Sequence, residues 1–138
     1  MILILTQKEP VDINKFLNEG FSESDGSDLI FIGRVRDSSQ NKKVLYIDYD
    51  IYSEMAVKEL NKIANEAKSD HNLSRVIIIH RYGRVNAGEA SILILVSSPH
   101  RDSSYTASRY IIDEIKKRVH IWKKEFYNDG SEWISDRN

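Results

Sequence analysis

The sequence predicts an α+β fold in one compact domain spanning residues 1–138. Three observations carry this. Two strongly apolar runs, RVIIIHR at 75–81 and SILILVS at 91–97, are separated by a short connection whose Asn86, Ala87 and Gly88 supply turn residues, so they read as an antiparallel hairpin. The run VLYIDYDIY at 44–52 alternates, with Leu45, Ile47, Tyr49 and Ile51 on one face and Tyr46, Asp48, Asp50 and Tyr52 on a wetter one. Between and after these strands lie two segments of helical period.

In chain order, Ile2 to Leu5 form a short strand. Pro10 and Asp12 open a helix with Asp12 as N-cap and Ile13, Phe16 and Leu17 as its apolar stripe, and Gly20 ends it. Residues 20–27 are a polar loop. LIFIGRV at 29–35 is apolar on both faces and reads as a central strand, with Gly33 marking a bulge or a close approach. Arg34 and Arg36 flank Val35 and share one side of an extended chain. DSSQNKK at 37–43 reads as a mobile loop. Ser53 caps a helix whose stripe is Ala56, Leu60, Ile63, Ala64 and Ala67, ending near Ser69. After Pro99 a helix begins near Asp102 or Ser103, buries Ala107, Ile111 and Ile115, and stops by Arg118. The β-branched and aromatic run from Val119 to Trp122 then leaves Lys123 on an extended segment. Asn128, Asp129 and Gly130 make a turn, after which the chain frays.

Composition narrows function. The net charge of −1 argues against a general nucleic-acid binder. With no cysteine, thiolate metal sites, disulfides and cysteine nucleophiles are excluded. The start, MILILTQKEP, has no basic lead-in and only a short apolar run, so neither a signal peptide nor a membrane span is expected, and a cytoplasmic location follows. His71, His80, His100 and His120 lack metal-site spacing, and no phosphate-loop or dinucleotide glycine pattern occurs.

Positive charge is local instead. From His100 to Lys124 the chain carries Arg101, Arg109, Lys116, Lys117, Arg118, Lys123 and Lys124 against Asp102, Asp113 and Glu114. The turn from Ser98 to Arg101, before a helix N-terminus, is either an anion site or a solvated turn. Lys116 and Lys123 are either a crowded pair with loosened protons or a basic helix end that complements the macrodipole. Asp48 and Asp50 read as a solvated strand face.

Six pieces together have a further meaning: FIGRVR at 31–36, YDIYSEMA at 49–56, IHRYG at 79–83 with Gly88 and Glu89, SPHR at 98–101, KKR at 116–118 and IWKKE at 121–125. In this order, from about Ile30 to Trp133, the chain resembles the MoaE family, the large catalytic subunit of molybdopterin synthase. That resemblance implies an α/β-hammerhead type of fold with antiparallel sheets and a homodimer. It also implies a heterotetramer with a small ubiquitin-like, MoaD-like carrier, whose C-terminal Gly-Gly is activated as a thiocarboxylate. The implied reaction is sulfur transfer from that carrier to a pterin phosphate, cyclic pyranopterin monophosphate (precursor Z), forming the dithiolene of molybdopterin without metal or cofactor. The resemblance makes Lys116 and Lys123 catalytic. It places Arg34, Val35, Arg36, His100, Arg101, Lys124 and Glu125 at the substrate. The family's usual proline before its Trp-Lys piece is His120 here. The competing reading is a binding module on the same fold that holds an anion or a partner's tail without turnover.

Overall fold

The computed structural model describes residues 1–135. Its elements are β1 (Ile2–Gln7), α1 (Asn14–Leu17), β2 (Ser27–Arg34), β3 (Ser38–Ser39), β4 (Lys42–Ile51), α2 (Ser53–His71), β5 (Arg75–Arg81), β6 (Gly83–Asn86), β7 (Ala90–Ser98), α3 (Arg101–Arg118), β8 (Ile121–Tyr127) and β9 (Glu132–Ser135). They build two sheets. The first has the order β1-β5-β7-β2; the second runs β3-β4-β8-β9, with β6 on the other edge of β4. All pairings are antiparallel except that of β1 with β5. This is the expected α+β class. No helix among the described residues is long and apolar enough to cross a membrane.

The apolar runs explain the first sheet. Every residue of β5 is buried, and β7 is buried from Ser91 to Ser98. Alternate side chains therefore serve two cores. Val76, Ile78, Ile94 and Val96 face α2 and α3, whereas Ile77, Ile79, Leu93 and Leu95 meet Phe16 of α1. Each such side chain contributes roughly 2 kcal/mol of burial. Arg75, fully buried at the head of β5, ties the second core down: Nη1 donates to the carbonyls of Leu17 and Glu19 at 3.0 and 2.6 Å, and Nη2 to Asp28 at 3.1 Å.

Several expectations are corrected. β2 is an edge strand, not a central one; it is apolar on both faces because Leu29 packs into one core and Ile30 and Ile32 into the other. The supposed mobile loop at 37–43 is a tight hairpin, with Gln40 and Asn41 both at positive φ (53° and 63°) as a two-residue primed turn requires. A bulge between Val44 and Tyr46 breaks the alternation of β4, so Val44 is buried and Leu45 is exposed. Ser53 is the first residue of α2, and Tyr52 is its cap. Ile13 is the cap of α1, although the Asp12 carboxylate accepts the Asn14 N–H at 3.2 Å. The chain does not fray after the last turn but pairs β9 with β8 through Ser135; the residues after it lie outside those described. The connection between β5 and β7 is also more than a turn. It lends β6 to the second sheet and so binds the two sheets to one another.

Candidate active site

The site begins where β2 fails. Its register with β7 slips between Gly33 and Arg34. A Cβ on Gly33 would stand 2.6 Å from Ile92 Cγ2, so only glycine lets the strand lie this close. Beyond the bulge Val35 turns inward, 2% exposed, with its N–H on the Glu89 carbonyl at 3.0 Å. Arg34 and Arg36 on either side remain exposed. Val35 thus anchors the segment from the core, and its side chain is not available to a ligand, contrary to the expectation for it.

Both arginines border a cleft of about 340 Å³. On its helical side Ile112, Ile115 and Lys116 follow one another at the spacing of a single α3 face, with Ile115 buried and Lys116 exposed above it. Lys123 enters from β8, half-buried and opposite Tyr49 of β4. The floor is His80, Ser91 and Ile92 from β5 and β7. Four cationic side chains, from β2, the segment just after it, α3 and β8, therefore meet in one concave space.

Their proximity has a consequence. Lys123 is held below the ordinary lysine range, first by desolvation and then by the charges of Lys116 and Arg36, while Glu125 opposes the shift. His80 is pushed down to about 4, chiefly by burial and further by Lys123, against the raising effect of its bond to the Arg81 carbonyl. Tyr49 is raised by burial and by the charge of Glu125, with the neighbouring Ser91 hydroxyl opposing the shift. A half-buried amine with a loosened proton, set among fixed cations, can bind an anion and exchange a proton with it. Among the described residues no cluster of His, Cys, Asp or Glu could hold a metal ion.

A family model described as MoaE protein matches residues 6–118. The chain belongs to the MoaE family. Among its relatives, the molybdopterin synthase catalytic subunit of Halalkalibacterium halodurans is 39% identical over 94% of this chain and 83% of that protein. The corresponding subunit of Pyrococcus abyssi is 40% identical over 92% of this chain and 87% of its own length. The crystal structure of molybdopterin synthase from Staphylococcus aureus superposes with a TM-score of 0.88 at 33% identity, covering 94% of both chains.

Of the MoaE-like pieces in the sequence, those at 31–36, 79–83, 116–118 and 121–125 all reach the cleft, and that at 49–56 contributes Tyr49. The expected residues divide accordingly. Arg34, Arg36, Lys116 and Lys123 line it. Lys124 points to the opposite face of β8, across from Asp48, and pairs with Glu132 at 3.3 Å beside a shallower groove. Asp48 and Asp50 are exposed there, as a solvated face requires. Glu125 does not line the cleft. It accepts the Tyr127 hydroxyl at 2.7 Å and acts on Lys123 through its charge.

His100 and Arg101 lie elsewhere. His100 caps α3 and Arg101 is its first residue. At 1.5 Å per residue the helix puts Lys116 roughly 22 Å from Arg101. The Ser98 hydroxyl organises this turn, donating to the His100 carbonyl and sharing a hydrogen bond with Ser104, each at 2.6 Å. Before His120, α3 stops at Arg118 with the Val119 N–H bonded back to the Ile115 carbonyl at 3.0 Å. His80, Tyr49 and Ser91 are members of the cleft that sequence reasoning did not single out as site residues. The available signals were the place of His80 in the IHRYG piece and a histidine within the mostly apolar run at 75–81.

Proposed function

We propose that this chain is the catalytic subunit of a molybdopterin synthase. It would act in the cytoplasm as a single catalytic domain, moving sulfur from the C-terminal thiocarboxylate of a small MoaD-like carrier onto cyclic pyranopterin monophosphate. The observation that supports this most is the convergence of Lys116, Lys123, Arg34 and Arg36 on one cleft, with the Lys123 proton loosened. Both reactants are anions, and a guanidinium can grip a phosphate with parallel hydrogen bonds. Arg34 and Arg36 hold the phosphate, and Lys116, the more exposed amine, draws in the carrier tail. Carrier sulfur bonds to a side-chain carbon of the pterin as a bond of the cyclic phosphate to the side chain opens. Water then hydrolyses the resulting thioester, leaving the sulfur on the pterin and a carboxylate on the departing carrier; a second loaded carrier supplies the second sulfur. Lys123 serves as the proton-exchanging group, because desolvation and like charge bring its two forms closer in energy at neutral pH. Sulfur arrives on the carrier, so the absence of cysteine is no obstacle.

His100 and Arg101 join this site in a homodimer, where the far end of α3 of a second copy supplies them; each protomer then takes one carrier, giving a heterotetramer. The test is direct. Purified chain, thiocarboxylated carrier and cyclic pyranopterin monophosphate are mixed and molybdopterin is followed. Formation of product dependent on all three supports the proposal, and none from the wild-type chain overturns it.

A further inference from the structure

The charged groups of the cleft are all donors: Arg34, Arg36, Lys116 and Lys123 can only donate. Among the described residues no carboxylate lines the space. The Ser91 hydroxyl donates its one hydrogen to the Gly33 carbonyl at 3.3 Å, and the acceptor sites of Ser91 and Tyr49 sit on rotatable hydroxyls that can also donate. His80 differs from both.

Its geometry is tightly set. His80 is 3% exposed, and its ring stands edge-on to Tyr49 with centroids 5.6 Å apart at 75°. Nδ1 lies 2.8 Å from the Arg81 carbonyl oxygen. A carbonyl only accepts, so Nδ1 carries the hydrogen. With the ring's protonation pushed down to about 4, the other nitrogen keeps a free lone pair at neutral pH. Among the described residues Nε2 has no hydrogen-bond partner, and no fully buried side-chain nitrogen or oxygen there lacks one. Nε2 therefore opens onto the cleft that His80 lines. A phosphate and a thiocarboxylate offer acceptors, which the cations satisfy. Neither has use for a neutral acceptor fixed in one tautomer, whereas the ring N–H groups of a reduced pterin do.

We propose that His80 is a specificity-determining residue, its Nε2 accepting a hydrogen bond from a ring N–H of the pterin while the cations take the phosphate. This rests on the function proposed above. Anion binding and heterocycle selection are then separate tasks on separate residues. A site built to satisfy a donor discriminates against ligands that lack it, since its buried acceptor would otherwise go unpaired.

The test is calorimetric titration of the whole chain, as wild type, His80→Phe and His80→Gln. The probes are inorganic phosphate and cyclic pyranopterin monophosphate. Phenylalanine keeps a ring against Tyr49 and removes the acceptor; glutamine supplies an amide oxygen without the ring. The expected result is unchanged phosphate affinity throughout and a roughly tenfold loss for the pterin phosphate in His80→Phe. Part of that loss is restored in His80→Gln. Equal losses for both probes, or no loss for either, overturn the proposal while leaving the function intact. Wild type that binds phosphate but not the pterin phosphate overturns both. Should His80→Phe not fold, His80→Leu removes the acceptor in its place: a loss confined to the pterin phosphate supports the assignment, and none overturns it.

Discussion

Lys116, near the end of α3, and Lys123, on the strand that follows, line the same cleft although the chain changes from helix to sheet between them. The turn at Val119 and His120 brings this about, and it lets each ammonium feel the other. Lys123 is the more buried partner and takes the larger consequence. Lys116→Ala removes a like charge, so the Lys123 pKa rises toward its ordinary range; Arg36→Gln does the same, and Glu125→Gln lowers it further. Titration of isotope-labelled lysine by NMR reads each shift. If Lys123 does not respond to Lys116→Ala, the two ammonium groups are not coupled.

Lys123 is also poised against stability. Its folded pKa is depressed, so between the folded and unfolded values the unfolded chain binds more protons, and stability rises with pH through that window. Lys123→Met, of similar length and without charge, should stabilise the fold at neutral pH by up to about 1 kcal/mol. It should also lower turnover by roughly 100-fold or more. Lys123→Arg does not restore activity, because a guanidinium keeps its proton. Denaturant melts paired with the synthesis assay measure both effects.

His80 makes the chain sensitive to acid. Its protonation is depressed from 6.5 to about 4 in the fold, so the unfolded state takes up a proton first as pH falls. Stability is therefore complete above pH 6.5 and is lost between that value and about pH 4. By linkage the full loss is about 3 kcal/mol. In His80→Phe the dependence over this window should flatten by most of that amount, which urea melts at several pH values check.

Legibility in the sequence followed the range of the interactions. The strands β5 and β7 and the helices α2 and α3 could be read because burial of their own stripes decides them. Lys116 and Lys123 could be read as a crowded pair on a helix end and the segment beyond it. What stayed hidden depends on partners distant in sequence. β6, with the residues GRVN, has only Val85 to bury and exists because β4 offers it an edge. The bulge that exposes Leu45 answers the pairing of β4 with β8. The apolar faces of β2 reported two cores, not a neighbour on each edge. The residues SPHR read as part of one site, yet the length of α3 holds them away from Lys116 within a protomer. His80 carries no spacing signal, because its role depends on what surrounds it in three dimensions.

Arg118 clamps α3 to α2. It donates to Glu59 at 2.7 Å and to both oxygens of Glu66 at 2.6 and 3.1 Å, and it reaches Glu114 at 3.3 Å on its own helix. These bonds hold the Glu66 carboxyl below its usual range, first through Arg118 and then through the Tyr110 hydroxyl. The cluster is partly solvated, so its worth is limited by screening. Arg118→Met leaves three carboxylates without their shared cation and should destabilise the chain by about 1–2 kcal/mol at low salt. That loss shrinks as salt rises. Denaturant melts at two ionic strengths provide the check, and a salt-independent loss would mean that packing of the side chain outweighs its charge.

The contact between Gly33 and Ile92 joins fold to cleft most directly, since both residues line it. Gly33→Ala drives a methyl to within 2.6 Å of Ile92 Cγ2 unless one strand shifts. Overpacking of this kind costs about 1–3 kcal/mol. The shift would fall where the β2 register already slips, carrying Arg34 and Arg36 with it. Affinity for phosphate should therefore drop along with stability. Ile92→Ala removes the clashing methyl, so the double variant Gly33→Ala/Ile92→Ala should be less destabilised than the two single losses added together. A strictly additive double mutant would show that the two side chains do not compete for this space.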